Sequence, residues 1–328
     1  MQLETINTQQ PMRCSQFLVI LWMILSLPQM SEAQFPAQGA SAFSLAGSID
    51  IHIHTAPDVF QRSLNDIELA QLCMARNMRA VVIKNHYEST SARARLTNSI
   101  LQSNLVFGGV TLNESVGGIN PKAVEAMYRI APDVGKFVWF PTLDAAQHAR
   151  VFGLKNRGIS ILDGEKLTKP TLEVLRLIAQ YNLVLATGHL APAEVMLLVK
   201  EAKALGVRHM VVTHALADTP GLSLPQMKEL VSNGVFLEFT YLSFISGPQA
   251  QLPFLQKSSH VSMEKMAAVI EEIGAEHIIL SSDLGQMGNA IPPDGLSMIA
   301  ELLQQQGISA AELELMLKDN PARLLGLE

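Results

Sequence analysis

From residue 48 onward the chain alternates two kinds of segment. Short runs rich in Val, Ile and Leu, bounded by polar turns, predict strands over 48–53, 79–84, 104–112, 135–140, 182–187, 209–213, 234–240 and 277–282. Between them lie longer stretches such as SLNDIELAQLCMARN, LAPAEVMLLVKEAKALG and SMEKMAAVIEEIG. In the second of these the apolar residues recur at three- and four-residue steps and Gly206 closes the pattern, so it predicts a helix. Alternating strand and helix implies parallel strands joined by crossover helices. Eight such strands imply a closed barrel more readily than an open sheet. The expected fold class is α/β, a single-domain (β/α)8 TIM barrel over residues 48–328.

Two stretches exceed the minimal strand–helix rhythm. Residues 143–170 read as an insertion after the fourth strand, with room for a small hairpin. Residues 241–260 form a long connection after the seventh strand, with Gly247-Pro248 and Pro253. Long loops on the C-terminal side of a barrel shape the substrate pocket.

The first strand, IDIHIH, alternates strictly. Its period of two puts Asp50, His52 and His54 on one face and the isoleucines on the other. The other polar residues follow the same rule of place. Lys84 and His86 end strand two, Asn113 follows strand three, His189 follows strand five, His214 ends strand six and Asp283 ends strand eight. In a parallel barrel those ends share one mouth, so residues distant in sequence converge. A lone strand histidine is more often a core or surface residue than a ligand, but the joint placement of five histidines argues against that reading. His209 and His277 precede their strands and read as structural. His148 and His260 fall in mouth-side loops, within reach of a substrate. Imidazole nitrogen and carboxylate oxygen suit zinc and related divalent ions. Four histidines and an aspartate exceed what one tetrahedral ion needs, which leaves room for two ions or for catalytic histidines. Asp50 reads first as a cap at the barrel bottom, and second as a group orienting a ligand.

The N-terminus is read separately. Arg13, the apolar run from Phe17 to Leu27 and the small-residue site ending at Ala33 have the order of a signal peptide over 1–33, followed by a flexible lead-in over 34–47. Met12 is an alternative start. The run is short for a membrane span, which needs about 20 apolar residues, so the mature protein is expected to carry no stable membrane span. The expected location is secreted or periplasmic. Of the two cysteines, Cys14 and Cys73, processing leaves one, and Cys73 reads as a small core residue.

Composition narrows the partners. Hydrophobic residues make up 48% of the 328 positions, enough for a large core, and the formal charge is −6. With no basic stripe, nucleic acid is not an expected partner. A small-molecule substrate is expected, and assembly into a homo-oligomer is left open.

His-x-His in strand one, a histidine after strand five, another after strand six and an aspartate after strand eight together resemble the amidohydrolase superfamily. The resemblance runs from about residue 48 to the end, where KDNPARLLGL is similar to that superfamily's usual close. More narrowly, VVIKNHYESTSARA, VGGINPKAVE and VWFPTLDAAQH resemble an uncharacterised branch of metal-dependent hydrolases with a Lys-Asn-His motif after strand two. The resemblance implies His52 and His54 on one metal, His189 and His214 as further ligands or substrate-polarising groups, and Asp283 as ligand and general base. It implies a divalent metal, expected to be zinc, as one or two ions. Two-metal members often bridge the ions with a carboxylated Lys or a Glu from strand four. Here that strand reads FVWFPTLD and has neither, which leaves Lys84 as the candidate bridge. Uncarboxylated, Lys84 would bind a substrate anion instead. His86 is then a ligand or a substrate contact.

The chemistry expected from these parts is metal-dependent hydrolysis of an amide, lactone or ester. Asp283 moves the proton, and His214 or Lys84 polarises the scissile oxygen. The alternative on the same scaffold is a single-metal decarboxylase or isomerase of a small organic acid, and a further one is a non-catalytic metal- or ligand-binding protein. Arg93 and Arg95 are candidates to clamp an anionic substrate, with a solvated helix face as the plain alternative. Asn113 is a candidate substrate contact. Glu238, in strand seven, reads as a structural barrel acid.

Overall fold

A computed structural model describes residues 43–328. The signal peptide read over 1–33 and the lead-in up to residue 42 lie outside the described residues. All eight expected strands form: β1 (Ile49–His54), β2 (Ala80–Lys84), β3 (Val106–Thr111), β4 (Gly135–Trp139), β5 (Val184–Ala186), β6 (His209–Val212), β7 (Phe236–Thr240) and β8 (Ile278–Ser281). They pair in sequence order and every pairing is parallel. The ring closes beyond the end of β8. There the Asp283 amide donates to the His52 carbonyl over 2.9 Å and the His54 amide donates to the Leu284 carbonyl over 2.8 Å. Gly285, at φ +128°, permits this closure, because a Cβ there would collide with the His54 carbonyl.

The alternation in β1 does what its period requires. Ile49, Ile51 and Ile53 are fully or almost fully buried in the continuous apolar core. Asp50, His52 and His54 are equally buried, but on the opposite, lumenal face. Each fully buried isoleucine contributes about 1.5–3 kcal/mol, and truncating one to Ala costs about 2–5 kcal/mol.

The helices that cover the barrel are α1 (Asp66–Ala75), α2 (Ser91–Leu101), α3 (Pro121–Ile130), α4 (Ala146–Val151), α5 (Lys169–Gln180) and α6 (Pro192–Ala204), followed by α7 (Leu224–Ser232), α8 (Tyr241–Ile245), α9 (Met263–Ile273) and α10 (Pro292–Gln305). Two short helices, α11 (Ala310–Glu314) and α12 (Asn320–Leu325), end the chain. Asn320 donates to the carbonyls of Ala275 and Ile278 at 2.8 and 2.6 Å, which pins the Asn-Pro-Ala turn to the start of β8.

The insertion after β4 contains α4 and the expected hairpin, Leu162–Asp163 against Lys166–Leu167. Buried Glu194 anchors it. One carboxylate oxygen caps α6 by accepting from the Ala191 amide at 3.0 Å, and the other accepts from the Ser160 hydroxyl at 2.7 Å and the Ile161 amide at 3.1 Å. The connection after β7 holds α8 and a 3-10 turn over Leu255–Lys257. Both segments rise on the C-terminal side of the barrel and wall its mouth.

Candidate metal centre

A cavity of about 570 Å³ opens at that mouth. Its floor is built from strand ends: His52 and His54 of β1, Lys84 of β2, His86 just after it, His189 after β5, His214 after β6 and Asp283 after β8. Two backbone features aim these side chains. Gly188, at φ +60°, lets the chain turn against the carbonyls of Phe140 and Pro141, where a Cβ would not fit, and so delivers His189. His214 and Asp283 themselves hold positive φ, +30° and +53°. Such backbone costs on the order of 1–3 kcal/mol per residue and concentrates at functional sites.

At the centre, one carboxylate oxygen meets two imidazoles. Asp283 Oδ1 lies 3.1 Å from His52 Nε2 and 3.2 Å from His54 Nε2. One ligand atom from each of these three buried residues lies within 4.8 Å of the others, the one such group among the described residues. His52 is held from behind: its Nδ1 sits 3.0 Å from Glu238 Oε1. The proton shared with that carboxylate belongs on Nδ1, so Nε2 presents a lone pair beside a carboxylate oxygen. A lone pair and a carboxylate oxygen at that distance suit a shared proton or a bound cation. The donor set and its burial fit a divalent ion, and the unpartnered Nδ1 of His214 leaves one more imidazole nitrogen free to serve it. Lys84 reaches the same point, its Nζ 3.0 Å from His52 Nε2.

Burial dominates the electrostatics. It pushes the Lys84 ammonium down to about 8, against the pull of the Asp283 and Glu238 charges. Burial likewise holds His54, His86 and His189 well below the usual histidine range, and His214 below it, so these rings are neutral and fit to ligate. Burial would raise Glu238, but His52, His214 and the hydrogen bond from Ser281 together outweigh it and keep the carboxyl below its ordinary value.

A chain of three imidazoles crosses the floor. His214 Nε2 lies 3.1 Å from His189 Nε2, and His189 Nδ1 lies 2.9 Å from His148 Nδ1. His148 comes from α4 in the insertion, so it lines the cavity and steadies His189 from its outer nitrogen. On the other side His86 stacks on His54 at a centroid distance of 4.9 Å and bonds Thr142 Oγ1 at 2.8 Å.

The remaining sequence candidates fall elsewhere. Asn113 does not line the cavity. It braces the floor from outside, bonding the His86 carbonyl, the Thr142 hydroxyl and the Thr142 amide at 2.8–3.0 Å. Arg93 points away from the mouth. It is bidentate to Asp66 at 2.8 Å and also reaches Glu88 and the carbonyls of Thr55 and Pro57. Arg95 forms a half-exposed ion pair with Asp133. His260 is exposed and packs on Phe244 rather than on the cavity. Asp50 is no cap at the barrel bottom. Its Oδ1 accepts from the amides of His52 and Ser282 at 3.1 and 3.2 Å, tying β1 to the segment that carries Asp283. Glu238 is more than a structural acid. It holds His52, the Ser281 hydroxyl at 2.7 Å and the His214 amide at 2.9 Å at once. Its signal in the sequence was a lone charge inside an otherwise apolar strand, FLEFT.

The fold is that of known amidohydrolase-type structures, as the sequence pattern implies. An amidohydrolase from Pseudomonas aeruginosa superposes with a TM-score of 0.58 at 13% identity, covering 85% of this chain and 95% of the other. The organophosphorus hydrolase from Deinococcus radiodurans gives 0.52 at 15%, covering 88% and 95%. An organophosphate-hydrolysing enzyme engineered from a weak promiscuous lactonase template gives 0.52 at 16%, covering 88% and 98%. No curated protein matches the sequence. A family model matches residues 47–238, more than half of the chain, and by that match the chain belongs to a family of unknown function, DUF6282.

Proposed function

We propose that this protein is a metal-dependent hydrolase that cleaves an amide, lactone or ester bond in a small molecule at the mouth of the barrel. The observation that carries the reading is the meeting of His52, His54 and Asp283 around one point, with His52 fixed by Glu238. Those residues would hold a divalent ion, zinc in this reading, which when bound would lower the pKa of a water from about 15.7 to about 7 and polarise the scissile carbonyl. The likeness to an organophosphorus hydrolase and to a lactonase template is consistent with such chemistry.

The side chains divide the remaining work. Asp283 accepts the proton of the attacking water and returns it to the leaving group. His214, neutral and facing the cavity, donates to the oxygen that gains charge. His189 is a further ligand, steadied by His148. Lys84 has two roles open to it. As an ammonium it donates to the substrate oxygen, and as a carboxylated lysine it bridges a second ion. Its depressed pKa supplies the neutral amine that carboxylation requires.

The test is elemental analysis of the purified protein together with hydrolysis assays on lactones, esters and amides. Metal bound per chain, with turnover lost in Asp283→Asn but metal retained, supports the reading. No metal after reconstitution, or no turnover by metal-loaded protein, rejects it. Among the described residues no helix is long and apolar enough to cross a membrane. We also propose export through the signal over residues 1–33, tested by the N-terminal sequence of protein from fractionated cells. A mature chain still beginning at Met1 or Met12 in the cytoplasm rejects export.

A further inference from the structure

The cavity has a polar floor and an apolar wall. Phe60 comes from the loop after β1, Phe152 and Leu154 from the insertion after β4, Leu252 and Phe254 from the connection after β7, and Met287 from the segment after β8. Four separate loops therefore contribute large apolar side chains to one rim. Four of those side chains are held open to solvent: Phe60 at 46% exposure, Leu154 at 47%, Phe254 at 56% and Met287 at 52%. Single exposed apolar residues need no explanation, but a contiguous set bordering a reactive floor marks a binding surface.

Most of the charges around this wall are already committed. Arg62 is held by Asp58 at 2.7 Å, with both side chains almost fully buried. Asp218 accepts from the Ser259 amide at 2.7 Å. Arg93, the guanidinium best suited to grip a carboxylate, is spent on Asp66 and Glu88 outside the cavity. Lys257 stands at the solvent edge, where water screens its charge. An acid group extending from the floor toward the wall would lose hydration against these apolar side chains without gaining a buried partner.

We infer that the substrate is an uncharged ester, lactone or amide carrying an apolar acyl or alkyl chain. The inference rests on the hydrolase reading above and adds the class of substrate. The reacting carbonyl lies over His52, His54 and Asp283, and the chain runs outward between Phe152 and Leu154 on one side and Leu252, Phe254 and Met287 on the other.

The test is binding of straight-chain hydroxamic acids of increasing length to the zinc-loaded protein by calorimetry, with hydrolysis of the matching esters and lactones measured in parallel. Affinity is expected to rise about fourfold per added methylene until the chain leaves the cavity. A carboxylate at the far end of the chain is expected to cancel that gain. Phe254→Ala, at an exposed position that folding does not need, is expected to flatten the dependence on chain length, and Phe254→Leu to restore part of it. Affinity independent of length, or tighter binding of the carboxylated chains, overturns the inference. Chain-dependent binding without hydrolysis of any ester or lactone leaves the apolar subsite standing and overturns the hydrolase reading instead.

Discussion

Glu238 grips His52 by its outer nitrogen, Oε1 to Nδ1 at 3.0 Å, so that Nε2 is turned to Asp283 and Lys84. The two residues lie on opposite halves of the chain, β1 and β7, and meet inside the lumen. A carboxylate behind a ligating imidazole fixes its tautomer and raises its basicity, and losing such a partner typically costs 10–100-fold in metal affinity. Glu238→Gln is therefore expected to weaken metal binding by about that factor. The side chain keeps its size, but its single oxygen can accept from the His214 amide or from the Ser281 hydroxyl and not from both, so a modest loss of stability accompanies the loss of metal affinity. Competition with a chromophoric chelator measures the change. An unaltered affinity would mean that His52 does not ligate through Nε2.

Lys84 decides between one ion and two. Its Nζ lies beside His52 Nε2, and burial brings its pKa to about 8. If carboxylated Lys84 bridges two ions, Lys84→Ala will bind one ion or none where the wild type binds two, and added carboxylic acids will partly restore the second. If Lys84 acts as an ammonium, wild type and variant will carry the same single ion, and the variant will lose turnover alone. Elemental analysis of both proteins separates the cases.

Much of this centre is legible in the sequence, because β-strand geometry converts spacing into direction. A period of two in IDIHIH is enough to put His52 and His54 on one face, and the strand-end positions of His189, His214 and Asp283 are enough to gather them at one mouth. What stays hidden depends on distance across the barrel. Nothing in FLEFT says that Glu238 faces His52 rather than a neighbouring hydroxyl. Nothing in LDAAQHAR says that α4 folds back to set His148 on His189. Arg93 illustrates the converse. A basic residue near strand two suggests an anion clamp, and only packing shows that α1 supplies its carboxylate.

Asp50 gives the metal-free protein a distinct response to pH. Burial lifts its carboxyl from 3.8 to about 7, with the amides of His52 and Ser282 pulling the other way. Between about 4 and 7 the folded state holds a proton that the unfolded chain has released. Stability is then fully present below about 4 and falls as pH rises through 7, by on the order of 4 kcal/mol. Asp50→Asn keeps the shape and the hydrogen bonds to the backbone and is expected to remove this slope. Urea denaturation of chelator-treated protein across that range measures it. Equal slopes in the two proteins would show that Asp50 is ionised in the fold.

Arg93 serves the fold rather than the substrate. Its guanidinium ties α2 to Asp66 in the first turn of α1, and through the carbonyls of Thr55 and Pro57 it holds the loop that leaves β1. Both partners are largely buried, with side-chain exposures of 14% and 10%, so solvent screens the pair little. Removing one member of such a pair strands the other and costs about 3–5 kcal/mol. Lys in its place keeps the charge but loses the bidentate grip on Asp66. Arg93→Ala is thus expected to unfold at markedly lower urea concentration, and Arg93→Lys at an intermediate one. An anion clamp would behave otherwise, with stability barely changed and KM raised for carboxylated substrates alone. The two patterns are read from one set of denaturation curves and one comparison of neutral with anionic substrates.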